Sequence, residues 1–374
     1  MNSTNSIWED ESIFCKNDFL IIGGGLAGLW CAYELQLKYN QARILIIERG
    51  IIPSGASTRN AGFACFGSPT EMIYDAAVMG DDKMWSTVEM RYKGIRKIRK
   101  VFGDAVIDYD PCGGFECLKN EQAAQVHERL SWLNKGMQAI TGKEESFNWS
   151  NEKLDRFGLK GFDKMIENDL EGGLHSGKLV FALQQYLQSK GVLFFSGMEV
   201  MRVEKDTNHY RVITTSNQTF TSTSLLYCTN AFSQHLLTGL VVTPARGQVI
   251  VTSPIEDLKL NGTFHYDEGY YYFRNVGNRV LLGGARNKSF DTEKTTELTI
   301  TPTIQDELLR FLSEHILPGK AFTITHKWSG IMGFTANKEP IVEKVDDNAY
   351  AVIACNGMGV ALTPIIAEKV AAMF

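Results

Sequence analysis

Asp18-Phe-Leu-Ile-Ile-Gly-Gly-Gly-Leu-Ala-Gly-Leu-Trp30 decides how this chain is read. Phe19–Ile22 is a short, isoleucine-rich apolar run, the pattern of a strand buried on both faces. Glycines break it, and Leu26–Lys38 follows as a helix with Leu29, Ala32, Tyr33 and Leu37 on one stripe. A second apolar run, Ile44-Leu-Ile-Ile47, ends in Glu48. Strand, turn, helix and strand make a βαβ unit with a right-handed crossover. In Gly23-x-Gly25-x-x-Gly28, the first glycine permits the turn and the second admits a pyrophosphate. The third packs helix on sheet. The helix N-terminus offers free N–H groups and a partial positive charge to phosphate. Glu48, 20 residues after Gly28, can accept from both hydroxyls of an adenosine ribose and would repel a 2′-phosphate. The unit is expected to bind a dinucleotide other than NADP.

Beyond it, residues 50–68 form a glycine- and serine-rich connection of the length that usually carries function. Residues 81–142 read as helical around a strand-like interval at 105–118. Leu179–Lys190 reads as a helix, followed by strands at Val192–Phe195, 199–204, 209–214 and 224–228. Val249–Val251, Tyr270–Phe273, Val280–Leu282 and Phe322–Lys327 read as further strands, Thr303–His315 as a helix, and Val360–Met373 as the closing helix. Pro364 is expected in its first turn, where N–H partners are absent anyway. No repeat or low-complexity tract interrupts this order.

At 374 residues the chain suits two domains. Acidic residues outnumber basic ones by 43 to 38, a net charge of −5 that argues against a nucleic-acid partner. Seven scattered cysteines without a C-x-x-C pair read as free thiols in a reducing compartment. The histidines show no metal-binding spacing, so no metal is expected. Met1–Asp18 lacks the apolar core of a secretory signal. Phe19–Tyr33, broken by glycines 23–25, falls short of the ~20 apolar residues of a membrane span. A cytoplasmic protein is expected.

The motifs together resemble the FAD-dependent D-amino-acid oxidase, glycine oxidase and sarcosine oxidase superfamily. The resemblance rests on Asp18 to Gly28, Glu48-Arg49, Gly55-Ala-Ser-Thr-Arg-Asn-Ala-Gly62, Arg246-Gly-Gln248 and Tyr272-Phe-Arg274. It continues through Leu282-Gly-Gly284, Trp328-Ser-Gly330 and Cys355-Asn-Gly-Met-Gly359. Within that superfamily the chain looks most like γ-glutamylputrescine oxidoreductases. The resemblance implies an α/β fold, in which a Rossmann-like FAD-binding domain interleaves with a substrate domain built on a mostly antiparallel sheet. The first is expected from 18–68, 155–232 and 330–374, the second from 69–154 and 233–329. Non-covalent FAD is expected at Gly23, Gly25, Leu26, Ala27, Gly28, Glu48 and Arg49. Its further contacts are expected at Ala56, Ser57, Asn60, Ala61, Gly62, Phe63, Val200 and Thr229. Gly357, Met358, Gly359, Val360 and Ala361 complete the set. Cys65 is expected as a small buried residue rather than a flavin attachment point.

The resemblance also implies loss of a hydride from an amine to flavin N5 and hydrolysis of the imine in water. Amino-acid members resemble Trp-x-Gly-x-Arg-Pro at the Trp328 segment, where the arginine clamps a carboxylate. Here Met332 stands in that place. An amine without an α-carboxylate is therefore the expected substrate, with any distal acid reaching Arg274 or Arg286. Tyr270, Tyr272 and Arg274 share one strand face. These three, with Trp328 and Met332, are the candidate catalytic residues. His265 reads as structural. Oxygen is the expected electron acceptor, with a quinone as the alternative and Lys327 as the nearest lysine to assist oxygen. Amino-acid oxidation, tRNA aminomethyl modification and flavin binding without turnover remain the other readings.

Overall fold

A computed structural model describes residues 5–374. The first four residues, part of the stretch read as lacking a signal, lie outside it. Phe19–Ile22 is buried as its pattern requires, and its strand, Asn17–Ile22, lies at the centre of the first sheet. It pairs in parallel with Ile44–Ile47 on one side and with Thr219–Tyr227 on the other. Leu193–Phe195 and Ala349–Ile353 extend the parallel core outward. Antiparallel strands Val200–Asp206, His209–Thr214 and Ile341–Asp346 complete the sheet. The helices Leu26–Lys38, Ser176–Ser189 and Gly359–Met373 share one apolar core with the helix Asp81–Phe102.

The second sheet runs Ile324–Phe334, Thr243–Thr252, Arg279–Gly284, Tyr271–Val276, Thr263–Tyr266, Gly114–Leu118, Lys164–Asn168 and Asn148–Trp149. Only Thr263–Tyr266 with Gly114–Leu118 is a parallel pair, so the sheet is mostly antiparallel, as expected. Lys164–Asn168, within the stretch expected beside the cofactor, is hydrogen-bonded into this second sheet. No helix among the described residues is long and apolar enough to cross a membrane.

Several elements differ from their expected bounds. Pro69–Met79 is a helix that composition alone does not reveal. Its start is a capping box, Ser68 with Glu71, and Pro69 sits at the first helical position. The interval at 105–118 becomes strand only at Gly114. The strand expected at 322–327 runs from Ile324 to Phe334, so the Trp328 motif is extended chain. The closing helix begins at Gly359, which puts Pro364 in its second turn, inside the helix. There the ring removes one intrahelical hydrogen bond. Two close contacts set the spacing of these layers. A Cβ on Gly28 would lie 2.0 Å from Gly23 O, and one on Gly94 would lie 1.8 Å from Ala361 O.

Candidate active site

A cavity of about 660 Å3 opens at the Gly23–Gly25 turn and ends against the second sheet. Its size lies within the ~300–1,000 Å3 of small-molecule and cofactor sites. At the turn Gly23 takes φ +110°, and a Cβ there would lie 2.5 Å from Cys228 O. Glu48 is buried at the strand end. Its Oε2 accepts from Gly24 N–H at 2.9 Å and its Oε1 from Gly50 N–H at 2.9 Å. Each oxygen keeps a lone pair for a further donor. Ser57 Oγ accepts from Leu26 N–H at 2.8 Å, fastening the 55–62 loop to the helix start. Asn60 braces that loop, accepting from Gly62 N–H and Ser176 Oγ.

The residues named from sequence for the cofactor line this cavity, apart from Gly28 and Gly62. Gly28 keeps the helix against the sheet, and Gly62 packs on Leu174 O. At the far wall, the loop before the closing helix holds Ala354, Asn356 and Gly357 at φ +60°, +50° and +86°. Such conformations are costly for the first two and persist where surroundings impose them. Here Asn356 N–H donates to Gly333 O, and Asn356 Oδ1 accepts from Thr335 N–H. A glycine turn without room for side chains, a buried acid and an elongated cavity fit FAD.

The second sheet supplies the other end. Across it, Glu116, His265, Tyr272, Gly283, Val249 and Trp328 are successive register partners. The Tyr272 ring lies over Gly283, where a Cβ would be 2.3 Å from it. Burial pushes the Tyr272 hydroxyl up to about 12, so it stays a hydrogen-bond donor. Tyr270 lines the cavity from the turn before the strand, while Tyr271 and Phe273 face the opposite core and pack on Phe311. Met332 also lines it, and its Cε would be 3.1 Å from a Cβ on Gly247.

Two expected site residues lie off the cavity wall. Arg274 is buried with its Nη1 donating to Gly62 O at 2.5 Å and Leu174 O at 3.1 Å, so its charge braces backbone. Trp328 Nε1 donates to Arg59 O at 2.9 Å and ties the 55–62 loop to the second sheet. Lys327 is exposed and also off the cavity, whereas Lys338 lines it, paired with Asp75 at 2.5 Å.

Arg286 does reach the cavity. Gly284 and Ala285 precede it at φ +119° and +58°, and Ala285 N–H donates to Tyr270 O. Its guanidinium lies 5.8, 5.2 and 4.8 Å from the rings of Tyr270, Phe290 and Phe334. Among the described residues no carboxylate forms an ion pair with it, and burial lowers its affinity for the proton. The segment that carries it is anchored by a buried pair, Arg246 Nε to Glu293 Oε2 at 2.7 Å and Nη2 to Oε1 at 3.0 Å.

Sequence reasoning also missed acids. Glu71 on the Pro69–Met79 helix lines the cavity, and His265 lines it beside Glu71. The sequence signal for Glu71 was its capping-box spacing from Ser68. Cys65 lines the cavity as a buried thiol, held well above the usual thiol range by burial and by Glu171.

Comparison with known proteins places this architecture. "Probable oxidoreductase OrdL" of Rhizobium meliloti is 25% identical over 362 residues, covering 93% of this chain and 80% of that protein. Glycine oxidase of Geobacillus kaustophilus is 23% identical over 380 residues, covering 95% and 92%. The crystal structure of L-proline dehydrogenase from P. horikoshii superposes with TM-score 0.76 at 17% identity, covering 96% and 93%, which shows the shared fold. The profile of one family matches from residue 18 to residue 373, through both sheets and the cavity between them: the chain belongs to the FAD dependent oxidoreductase (DAO) family.

Proposed function

We propose that this flavoenzyme oxidises the C–N bond of an amine whose remote end carries an acid, as γ-glutamylputrescine does. One observation carries the reading. Arg286 is a guanidinium at the cavity with no carboxylate in an ion pair with it among the described residues, and Met332, which the family resemblance puts in the place of an α-carboxylate clamp, lines the same cavity. A thioether cannot satisfy a carboxylate, and a buried unpaired charge is costly. The reacting carbon then lies against Tyr270, Tyr272 and Met332, and the acid against Arg286. FAD, when bound, supplies the two-electron acceptor for the substrate C–H bond.

The chain's own part is positioning. The Gly23–Gly28 turn, Glu48 and the 55–62 loop hold the cofactor, and Tyr272 offers a hydroxyl donor at the reacting end. The tRNA reading finds no support in the charge balance or in the relatives named above.

The test is a panel of glycine, sarcosine, D-alanine, putrescine and γ-glutamylputrescine, scored by anaerobic flavin reduction. Fastest reduction by γ-glutamylputrescine is expected. Fast reduction by the small α-amino acids alone would mean that Arg286 clamps an α-carboxylate. Mixing the reduced protein with air or with a quinone then assigns the acceptor. Oxygen is the one we favour, with Lys338 as the lysine that reaches the cavity.

Non-covalent attachment is proposed because Cys65 at the cavity is held as a thiol, the unreactive form. Purified protein should be yellow and lose its flavin to the supernatant on acid or heat treatment. Colour that stays with the precipitate would identify a covalent link.

A further inference from the structure

We infer that His265, backed by Glu71, takes the proton that a substrate ammonium must lose before its C–N bond is oxidised. The inference rests on the amine reading above. An ammonium nitrogen has no lone pair to support loss of a hydride from the adjacent carbon, so the cation must first become neutral.

His265 has the placement for this. It sits on the Thr263–Tyr266 strand, lines the cavity and is only 6% exposed, yet neither ring nitrogen has a hydrogen-bond partner among the described residues. Buried polar groups are nearly always paired, so an orphan at a ligand cavity points to a partner the ligand brings. Burial also lowers its affinity for a proton, which keeps the imidazole neutral and able to accept. Glu71 Oε2 lies 3.5 Å from Nδ1. Gly269 leaves it room, since a Cβ there would lie 2.8 Å from Glu71 Cδ.

The other groups facing the ring define its charge state. Tyr272 and Glu116 are its register partners on either side, Glu171 lines a small pocket with it, and the Phe63 ring meets it edge-on at 5.1 Å. Burial pushes Glu116 up to about 8 and Glu171 to about 7. Ser68 Oγ lies 3.0 Å from Glu116 Oε1 and 3.1 Å from Glu71 Oε2. Glu116 also accepts from Thr70 N–H and Thr70 Oγ1, and Glu71 is the acid that faces His265. In the step itself a substrate N–H bond breaks and an imidazole N–H bond forms. The positive charge moves from ammonium to imidazolium beside Glu71, and no electrons are exchanged.

Two measurements on the holoenzyme test this. In the first, the histidine signals are titrated by NMR, the His265 signal being the one lost in His265→Gln. Its midpoint should lie below the ordinary histidine value and fall further in Glu71→Gln. A midpoint that Glu71→Gln leaves unmoved would overturn the pairing, and this arm needs no turnover.

In the second, flavin reduction is followed from pH 6 to pH 10 with whichever panel compound is oxidised. His265→Gln should be slower by roughly 10²-fold near neutral pH. It should recover to within a few-fold of wild type near the ~10 at which an alkylammonium ionises unaided. A loss equal at every pH, or none, would overturn the proton role. Every panel compound carries an ammonium, so which of them reacts tests the substrate reading separately.

Discussion

Arg286→Met is expected to lower kcat/KM for γ-glutamylputrescine by roughly 10–150-fold, the ~1.5–3 kcal/mol of a hydrogen bond to a charged group. Putrescine, which has no acid, should lose little or gain, because the variant removes a half-buried cation as well as a ligand. Arg286→Lys should restore only part, since an ammonium cannot reproduce a bidentate fork. The control is Arg274→Met. Its guanidinium already serves Gly62 O and Leu174 O, so that change should lower stability and loosen the 55–62 loop without regard to substrate. Steady-state rates with both amines, beside thermal melts, separate the two arginines. A loss in Arg286→Met equal for both amines would remove the distal-acid reading.

Nothing in sequence spacing could have chosen between these arginines. Strand alternation puts Arg274 on the same sheet face as Tyr272. What it does not report is where a long side chain ends, and the Arg274 head is captured by two backbone carbonyls contributed from residues 62 and 174. Arg286 is aimed by the left-handed backbone at Gly284 and Ala285, and only the glycine announces such a turn in advance. The dinucleotide end was far more legible. There the requirement is backbone proximity, which only glycine allows, and residue type alone carries the information. The helix at Pro69–Met79 lay between these cases. Ser68-Pro-Thr-Glu71 is a capping signal, hidden at the end of a glycine- and serine-rich loop, and with it went the acid that faces His265. His265 itself could not be distinguished from an ordinary core histidine, because its two unpaired nitrogens are a property of the packed neighbours.

Gly28→Ala should cost the protein its flavin. The added methyl would lie 2.0 Å from Gly23 O and 3.1 Å from Ile21 Cγ2, and neither contact is with the free end of a flexible side chain. Relief requires the helix to lift from the strand or the 23–25 turn to open, and both movements displace the N–H groups proposed to meet the pyrophosphate. Overpacking of this kind typically costs about 1–3 kcal/mol. Strain that falls on the cofactor-bound state would weaken FAD by roughly 5–150-fold. Gly191→Ala is the control, because it lies off the cavity and a Cβ there meets nothing within 4 Å, so its φ of +84° costs stability and not cofactor affinity. Titration of apoprotein with FAD, read by flavin fluorescence, should show weak or no binding for the first and near-normal binding for the second. Equal affinities would mean that the Gly23–Gly28 turn does not cradle the cofactor, and the pyrophosphate would then have to be sought along the closing helix at Gly359.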